Sequence, residues 1–169
     1  MEIPTLTTER LVMRPFRQDD IDAFAAMCAD EEVMSWLGGT MDRNTAWRHM
    51  ATLTGHWRLR GYGRWALELL ETGELAGHVG LWFPETWPAI EIGWALARNA
   101  WGSGIATEAA RASLEYAWTE AGLDRVIHLI NPENERSQSV ARKIGSRPTD
   151  EHFQLNGYDL VIWEQLRPE

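Results

Sequence analysis

"RLVMRPF" (Arg10–Phe16), an apolar run between arginines, alternates well enough to read as a first strand. The period then lengthens. Ile21, Phe24, Ala25 and Cys28 share one face of a helix begun by Asp19 or Asp20 as N-cap. "LGG" (Leu37–Gly39) closes the short turn that follows, and a second helix is expected from about Asp42 to Arg60. On it Trp47, Met50, Thr54 and Trp57 recur at i, i+3, i+7 and i+10, a single helical face. "GRWALELLETGELAGHVGLWF" (Gly63–Phe83) reads as two strands joined by a tight turn at "ETGE". Beyond Pro84 and Pro88 a fourth strand covers Ile90–Leu96, followed by a long helix to about Ala121 and a β-branched strand, Arg125–Ile130. A short helix then ends at Gly145, a C′ glycine, before two terminal strands, about Arg147–His152 and Leu155–Gln165, that turn near Asn156-Gly157.

That order of elements predicts a mixed α/β sheet, mostly antiparallel at first, with one or two crossover helices later. At 169 residues, with no repeat and no linker-like stretch, the chain is expected to form one domain. A net charge of −9 argues against a duplex-DNA partner, whose affinity rests on Lys and Arg neutralising phosphates. An acidic surface suits a cationic or amine substrate. The lone cysteine, Cys28, rules out an internal disulfide and a cysteine-based zinc site, and reads as a small buried hydrophobe. "MEIPTLTTERL" lacks the basic-then-apolar order of a signal peptide, and no apolar run is long enough to span a bilayer. A cytoplasmic protein is expected, without membrane or nucleic-acid partners. His49 and His56 stand at no metal-ligand spacing, His128 sits in a core-type strand and His152 precedes the terminal turn, so no metal site is expected.

The chemistry concentrates where the fourth strand becomes a helix, at "RNAWGSGIATEAA" (Arg98–Ala110). The first N–H groups of a helix have no intrahelical partner, and with the helix dipole they attract anions. Gly102 and Gly104 let the chain turn tightly and bring a phosphate against bare amides, with Thr107 one turn in to add a hydroxyl. A helix that simply begins on glycine has the same spacing, and spacing leaves both readings open. A dinucleotide fingerprint would want glycine where Thr107 stands, and the Gly-Lys-Ser/Thr ending of a P-loop is absent.

"IEIGWALARNAWGSGIATEAARASLEYAW" closely resembles the core motif of the GCN5-related N-acetyltransferases (GNAT), Arg/Gln, two residues, Gly, one residue, Gly/Ala. "TERLVMRPFRQDD" and "NPENERSQSVARKIG" resemble the branch containing the ribosomal-protein N-terminal acetyltransferases (RimJ/RimL-like). Three motifs in order cover nearly the whole chain, which implies a single N-acetyltransferase domain over residues 1–169. The resemblance implies a sheet splayed between its fourth and fifth strands and acetyl-CoA as acyl donor. The amides of Trp101, Gly102, Ser103, Gly104, Ile105, Ala106 and Thr107 would hold the pyrophosphate. Trp94, Ala95 and Leu96 would pair with the pantetheine arm, and Asn134 would contact it. Three positions depart from the family: Asn99 replaces the usual Arg or Gln, Ala141 a frequent proton-donating tyrosine, and Ser146 a common aromatic.

Direct acetylation of an amine needs a neutral nitrogen, a polarised carbonyl and a stabilised leaving thiolate. An α-amine titrates near 7.7–8.0 and needs modest help, whereas a lysine-like amine near 10.4 needs a true base. Glu91 is the first candidate base, Glu68 the second, and Ser137 the candidate proton donor where the tyrosine is missing. A fourth-strand N–H is expected to polarise the thioester oxygen. His78, Trp36, Trp47 and Trp57 are candidates for the acceptor pocket, the helix stripe having a core role as its alternative. The acceptor is a protein or peptide N-terminal α-amine or a small-molecule amine, taken by a monomer or homodimer. A non-catalytic acyl-CoA-binding or sensing domain is the competing class.

Overall fold

The computed structural model describes residues 2–168. Eight strands form one sheet in the order β1-β2-β3-β4-β5-β6-β8-β7. They are β1 (Leu6–Thr7), β2 (Leu11–Arg14), β3 (Arg64–Leu69), β4 (Leu75–Trp82), β5 (Glu91–Leu96), β6 (Arg125–Ile130), β7 (Arg147–Leu155) and β8 (Tyr158–Leu166). The helices are α1 (Ile21–Ala29), α2 (Glu31–Met34), α3 (Arg43–Arg60), α4 (Ile105–Thr119) and α5 (Glu135–Lys143). The sheet is mixed and mostly antiparallel, as the element order predicts, with β5–β6 its parallel pair. The two-residue β1 and the one-turn α2 are too short to carry a period and were not anticipated. Asp20 does precede α1, but its carboxylate turns back to Arg14 and the Arg17 N–H rather than capping the helix. At the terminal hairpin Asn156 and Gly157 both take positive φ (51° and 84°), the pair a tight two-residue turn requires.

Register decides which side chains meet. Trp65, Val79 and Ile92 lie on the sheet face covered by α4, within the larger core cluster. Position by position, Arg64 on β3 faces Gly80 on β4, which faces Gly93 on β5, and Trp82 faces Glu91. That opposite face carries His78 and Trp82, and α1 and α3 cover it.

The inward stripe of α3 is rotated one step from the pattern expected. Ala46, Met50, Leu53 and Trp57 are buried, while Trp47 and Thr54 face outward. The Trp57 ring packs edge-on against Trp65, 4.8 Å between centroids, and against Tyr116 of α4, and its Nε1–H donates to the Arg64 carbonyl at 3.0 Å. Trp57 is thus a core residue, not part of an acceptor pocket. Trp57→Ala should destabilise the fold by about 3–5 kcal/mol. At roughly 2–4 °C per kcal/mol for a chain of this size, thermal unfolding followed by circular dichroism should show a midpoint about 10 °C lower. Among the described residues no helix is long and apolar enough to cross a membrane.

Candidate active site

The cleft begins where β5 and β6 stop pairing. One rung joins them, Glu91 opposite Ile127, with the Ile127 N–H donating to the Ile90 carbonyl at 2.9 Å. At the next position the buried His128 ring intervenes, and its Nδ1–H donates to the Ile92 carbonyl at 2.7 Å. A side chain thereby takes the acceptor a further backbone rung would use. Burial holds this imidazole neutral, its pKa pushed down to about 4. Ser146 Oγ lies 2.8 Å from His128 Nε2 and 2.8 Å from Gln165 Oε1, so the serine in place of the usual aromatic is a hydrogen-bonding part of the wedge. By the alternation that turns Ile90 and Ile92 toward β6, the Trp94 N–H and C=O face the gap with no strand to pair with.

The gap widens into a cavity of about 490 Å³ at the end of β5. Gly102 and Gly104 have φ of 73° and 86°, left-handed values of the kind found in backbone concavities that can hold anions. None of the N–H groups from Gly102 to Thr107 donates to a carbonyl outside its own helix among the described residues. A Cβ on Gly102 would meet open space. The Trp101 indole pins the turn to the end of β5 through the Leu96 carbonyl, at 2.9 Å. Trp94 through Leu96, Trp101, Gly102, Gly104 through Thr107 and Asn134 line this cavity. Ser103 does not, its carbonyl taken by Arg10 and its hydroxyl donating to the Ala100 carbonyl. Arg136, stacked 4.2 Å over Trp101 and ion-paired with Glu32 at 3.0 Å, and Lys143 stand on the rim beside Glu32 and Glu135, and carry no motif by which sequence would find them. Unpaired amides at a helix start fit a pyrophosphate. Gly104→Val should therefore weaken CoA binding at least tenfold by calorimetry, because φ of 86° costs a β-branched residue at least about 1–2 kcal/mol.

A smaller cavity of about 160 Å³ adjoins it toward the start of β5, lined by Trp36, Arg64, Trp87, Glu91, Asn156 and Tyr158 among others. Trp36, Leu37, Trp94, Asn134 and Ser137 border both cavities. Glu91 is buried, and burial lifts its carboxyl above the usual range against the opposing pull of Arg64 and of the Trp87 indole. Trp87 Nε1–H donates to Glu91 Oε2 at 2.8 Å, while Arg64 Nη2 lies 3.7 Å from the same oxygen. Trp87 is held in turn by Phe153 of β7, 5.6 Å between ring centroids.

Ser137 sits in the first turn of α5, whose N-cap Asn134 accepts the Ser137 N–H at 3.1 Å. Its Oγ accepts the Trp94 indole N–H at 3.3 Å. An indole N–H can only donate, so the serine's own proton stays available. Ala141 is fully buried against Ile130, Trp163 and Trp94, and large indoles fill its neighbourhood.

Other candidates lie elsewhere. Glu68 is paired with Arg14 at 2.6 Å and Arg17 at 3.3 Å, toward β2, and lines neither cavity. His78 is buried beneath α1 and α3 against Phe24 and His49, because its register position on β4 faces those helices rather than the gap. Trp47 is 47% exposed and also lines neither cavity. Burial pushes the Cys28 thiol up to about 11, which makes it a poor nucleophile.

A sheet opened between two parallel strands, with unpaired amides lining one cavity and a buried carboxylate the adjoining one, has the parts that acyl transfer from a phosphate-bearing donor to an amine requires. The family model of the acetyltransferase (GNAT) domain matches residues 10–147. Bacillus subtilis YkkB is 35% identical over 149 residues, 83% of each chain. The uncharacterized N-acetyltransferase p20 of Bacillus licheniformis is 33% identical over 134 residues, 77% of this chain and 75% of p20. The crystal structure of an acetyltransferase from Agrobacterium tumefaciens superposes with a TM-score of 0.89 at 30% identity, covering 99% of this chain and 96% of that one. The chain belongs to the GNAT family of N-acetyltransferases, whose members use acetyl-CoA.

Proposed function

We propose that the chain transfers the acetyl group of acetyl-CoA directly to the nitrogen of a primary amine, with both substrates bound at once and no acyl-enzyme. The observation that carries this reading is the shared wall. Trp94, Asn134 and Ser137 border both cavities, so a donor in the larger and an acceptor in the smaller meet at these residues. The unpaired amides from Gly102 to Thr107 would hold the pyrophosphate, and the free edge of β5 from Trp94 to Leu96 the pantetheine arm.

Glu91 takes a proton from the acceptor ammonium, directly or through a water, and the neutral nitrogen attacks the thioester carbon. The unpaired Trp94 N–H stabilises the oxygen as it becomes negative. Collapse of the intermediate breaks the C–S bond, and Ser137 passes its hydroxyl proton to the departing thiolate as it takes up, directly or through a water, the second proton of the attacking nitrogen, which leaves as the neutral amide.

Thiol release from acetyl-CoA tests this against two pools, a peptide α-amine library and a panel of small amines. One acetylated amine per thiol released is the expected result. Acetyl-CoA binding with no turnover in either pool would overturn it in favour of a non-catalytic acyl-CoA-binding domain.

A further inference from the structure

Two buried arginines in this chain are treated in opposite ways. Arg14 is fully engaged: Nη1 and Nη2 each donate to Asp20 at 2.8 Å and Nε donates to Glu68 at 2.6 Å. Arg64 is nearly as buried, its side chain 11% exposed, yet its Nε has no partner among the described residues. Its one carboxylate neighbour among them, Glu91, stands at 3.7 Å, beyond a hydrogen bond. Leaving a buried guanidinium underused is costly, and the end of this one borders the smaller cavity, where a ligand can supply the acceptor that its Nη groups lack.

The sheet makes room for it. Arg64, Gly80 and Gly93 stand in one row across β3, β4 and β5. The bare Gly93 lets the long side chain lie along the sheet, over the Trp82 ring at 5.3 Å, to the edge of the smaller cavity, while the bare Gly80 admits the Gly63–Arg64 backbone. A Cβ on Gly93 would overlap the guanidinium itself.

We infer that the smaller cavity is built for an α-amino acid, or a small amine carrying a carboxylate equally close to its nitrogen, with Arg64 as the carboxylate site. This rests on the acetyl-transfer reading and names its acceptor. A guanidinium offers paired N–H donors matched to a carboxylate. Glu91 beside it provides for the ammonium of the same molecule. About 160 Å³ suits a single amino acid better than a polypeptide end. Charge selects in the same direction. His49, His56 and His78 near Arg64 are all held neutral, so the guanidinium is the fixed positive charge of that wall, with Glu91 as its counter-charge. An amine without a carboxylate would bring a second cation beside the first, whereas a zwitterion brings its own compensation.

The test compares free amino acids with their carboxamides on the wild-type enzyme. Rates are taken per neutral amine, because removing the carboxylate also lowers the basicity of the nitrogen. Free acids should lead by roughly ten- to a hundredfold in kcat/KM, the range of one charge-assisted hydrogen-bonding site. Arg64→Gln should bring that ratio close to one, chiefly through a higher KM for the acids. The wild-type comparison stands whether or not the variant folds. Carboxamides served as well as acids overturn the inference and leave acetyl transfer standing. Peptides beginning with Asp, used in preference to peptides beginning with Asn and to free amino acids, overturn the amino-acid-sized occupant. No turnover of any amine overturns both.

Discussion

Glu91→Gln is expected to lower kcat by roughly two to four orders of magnitude, the usual contribution of a positioned general base, while acetyl-CoA binds as before. The amide keeps the shape of the carboxylate and can still accept the Trp87 indole N–H, so the smaller cavity retains its wall. It loses the ability to take a proton. It also leaves Arg64 without its counter-charge, so a lower unfolding temperature should accompany the kinetic defect, and calorimetric titration with acetyl-CoA serves as the control for folding. The donor cavity does not include Glu91, so its affinity should not move.

The pH profile separates a base from a structural carboxylate. A base works only when ionised, and activity is lost as pH falls through its pKa. Burial raises the Glu91 value, which outweighs the lowering by Arg64, Trp87 and the backbone at Leu129. The acid limb of kcat should therefore lie above the ordinary carboxylate range. It should move higher still in Arg64→Gln, which removes a lowering influence, and vanish in Glu91→Gln. Reading the limb from kcat confines it to the ternary complex and keeps the free amine's titration out of it. A profile in Glu91→Gln with the wild-type limb intact would assign the proton transfer to another group.

The cradle was legible because its physics is local. Glycines at a strand-to-helix turn imply left-handed backbone and bare amides, and Gly102 and Gly104 have that geometry. Element order was legible from hydrophobic period, which placed β3 through β6 and α3 through α5 to within a few residues. Side-chain destinations were less so. Met50 and Trp57 belong to the inward stripe of α3 and Trp47 and Thr54 do not, a rotation of one step that a four-residue spacing does not resolve. Glu68 and Glu91 are both acids on strands. What divides them is that Arg14 and Arg17 reach the first while the second stands at the opened β5–β6 edge, and both facts are tertiary. Arg64 was missed for the same reason. Its signal, an arginine in register with Gly80 and Gly93, exists only once strand pairing is known.

Ser137→Ala should lower kcat about a hundredfold near pH 7, the lower end for general acid catalysis because a thiolate is already a fair leaving group. The defect should shrink as pH rises. The coenzyme A thiol, a simple alkyl thiol that titrates above the value of about 8.5 ordinary for cysteine, leaves unaided as thiolate at high pH and needs a proton donor near neutrality. Serine does not titrate in this range, so the wild-type enzyme should show no matching basic limb, and the two curves should converge from below. A structural role predicts otherwise. Losing the partner of the Trp94 indole, 3.3 Å away, would depress the rate by a factor independent of pH. Threonine at 137 restores the hydroxyl and should recover most of the neutral-pH rate, while cysteine, a weak donor, should not. Parallel curves, or equal defects in the threonine and alanine variants, would remove Ser137 from the proton path and leave the thiolate to be protonated by water entering along the donor cavity.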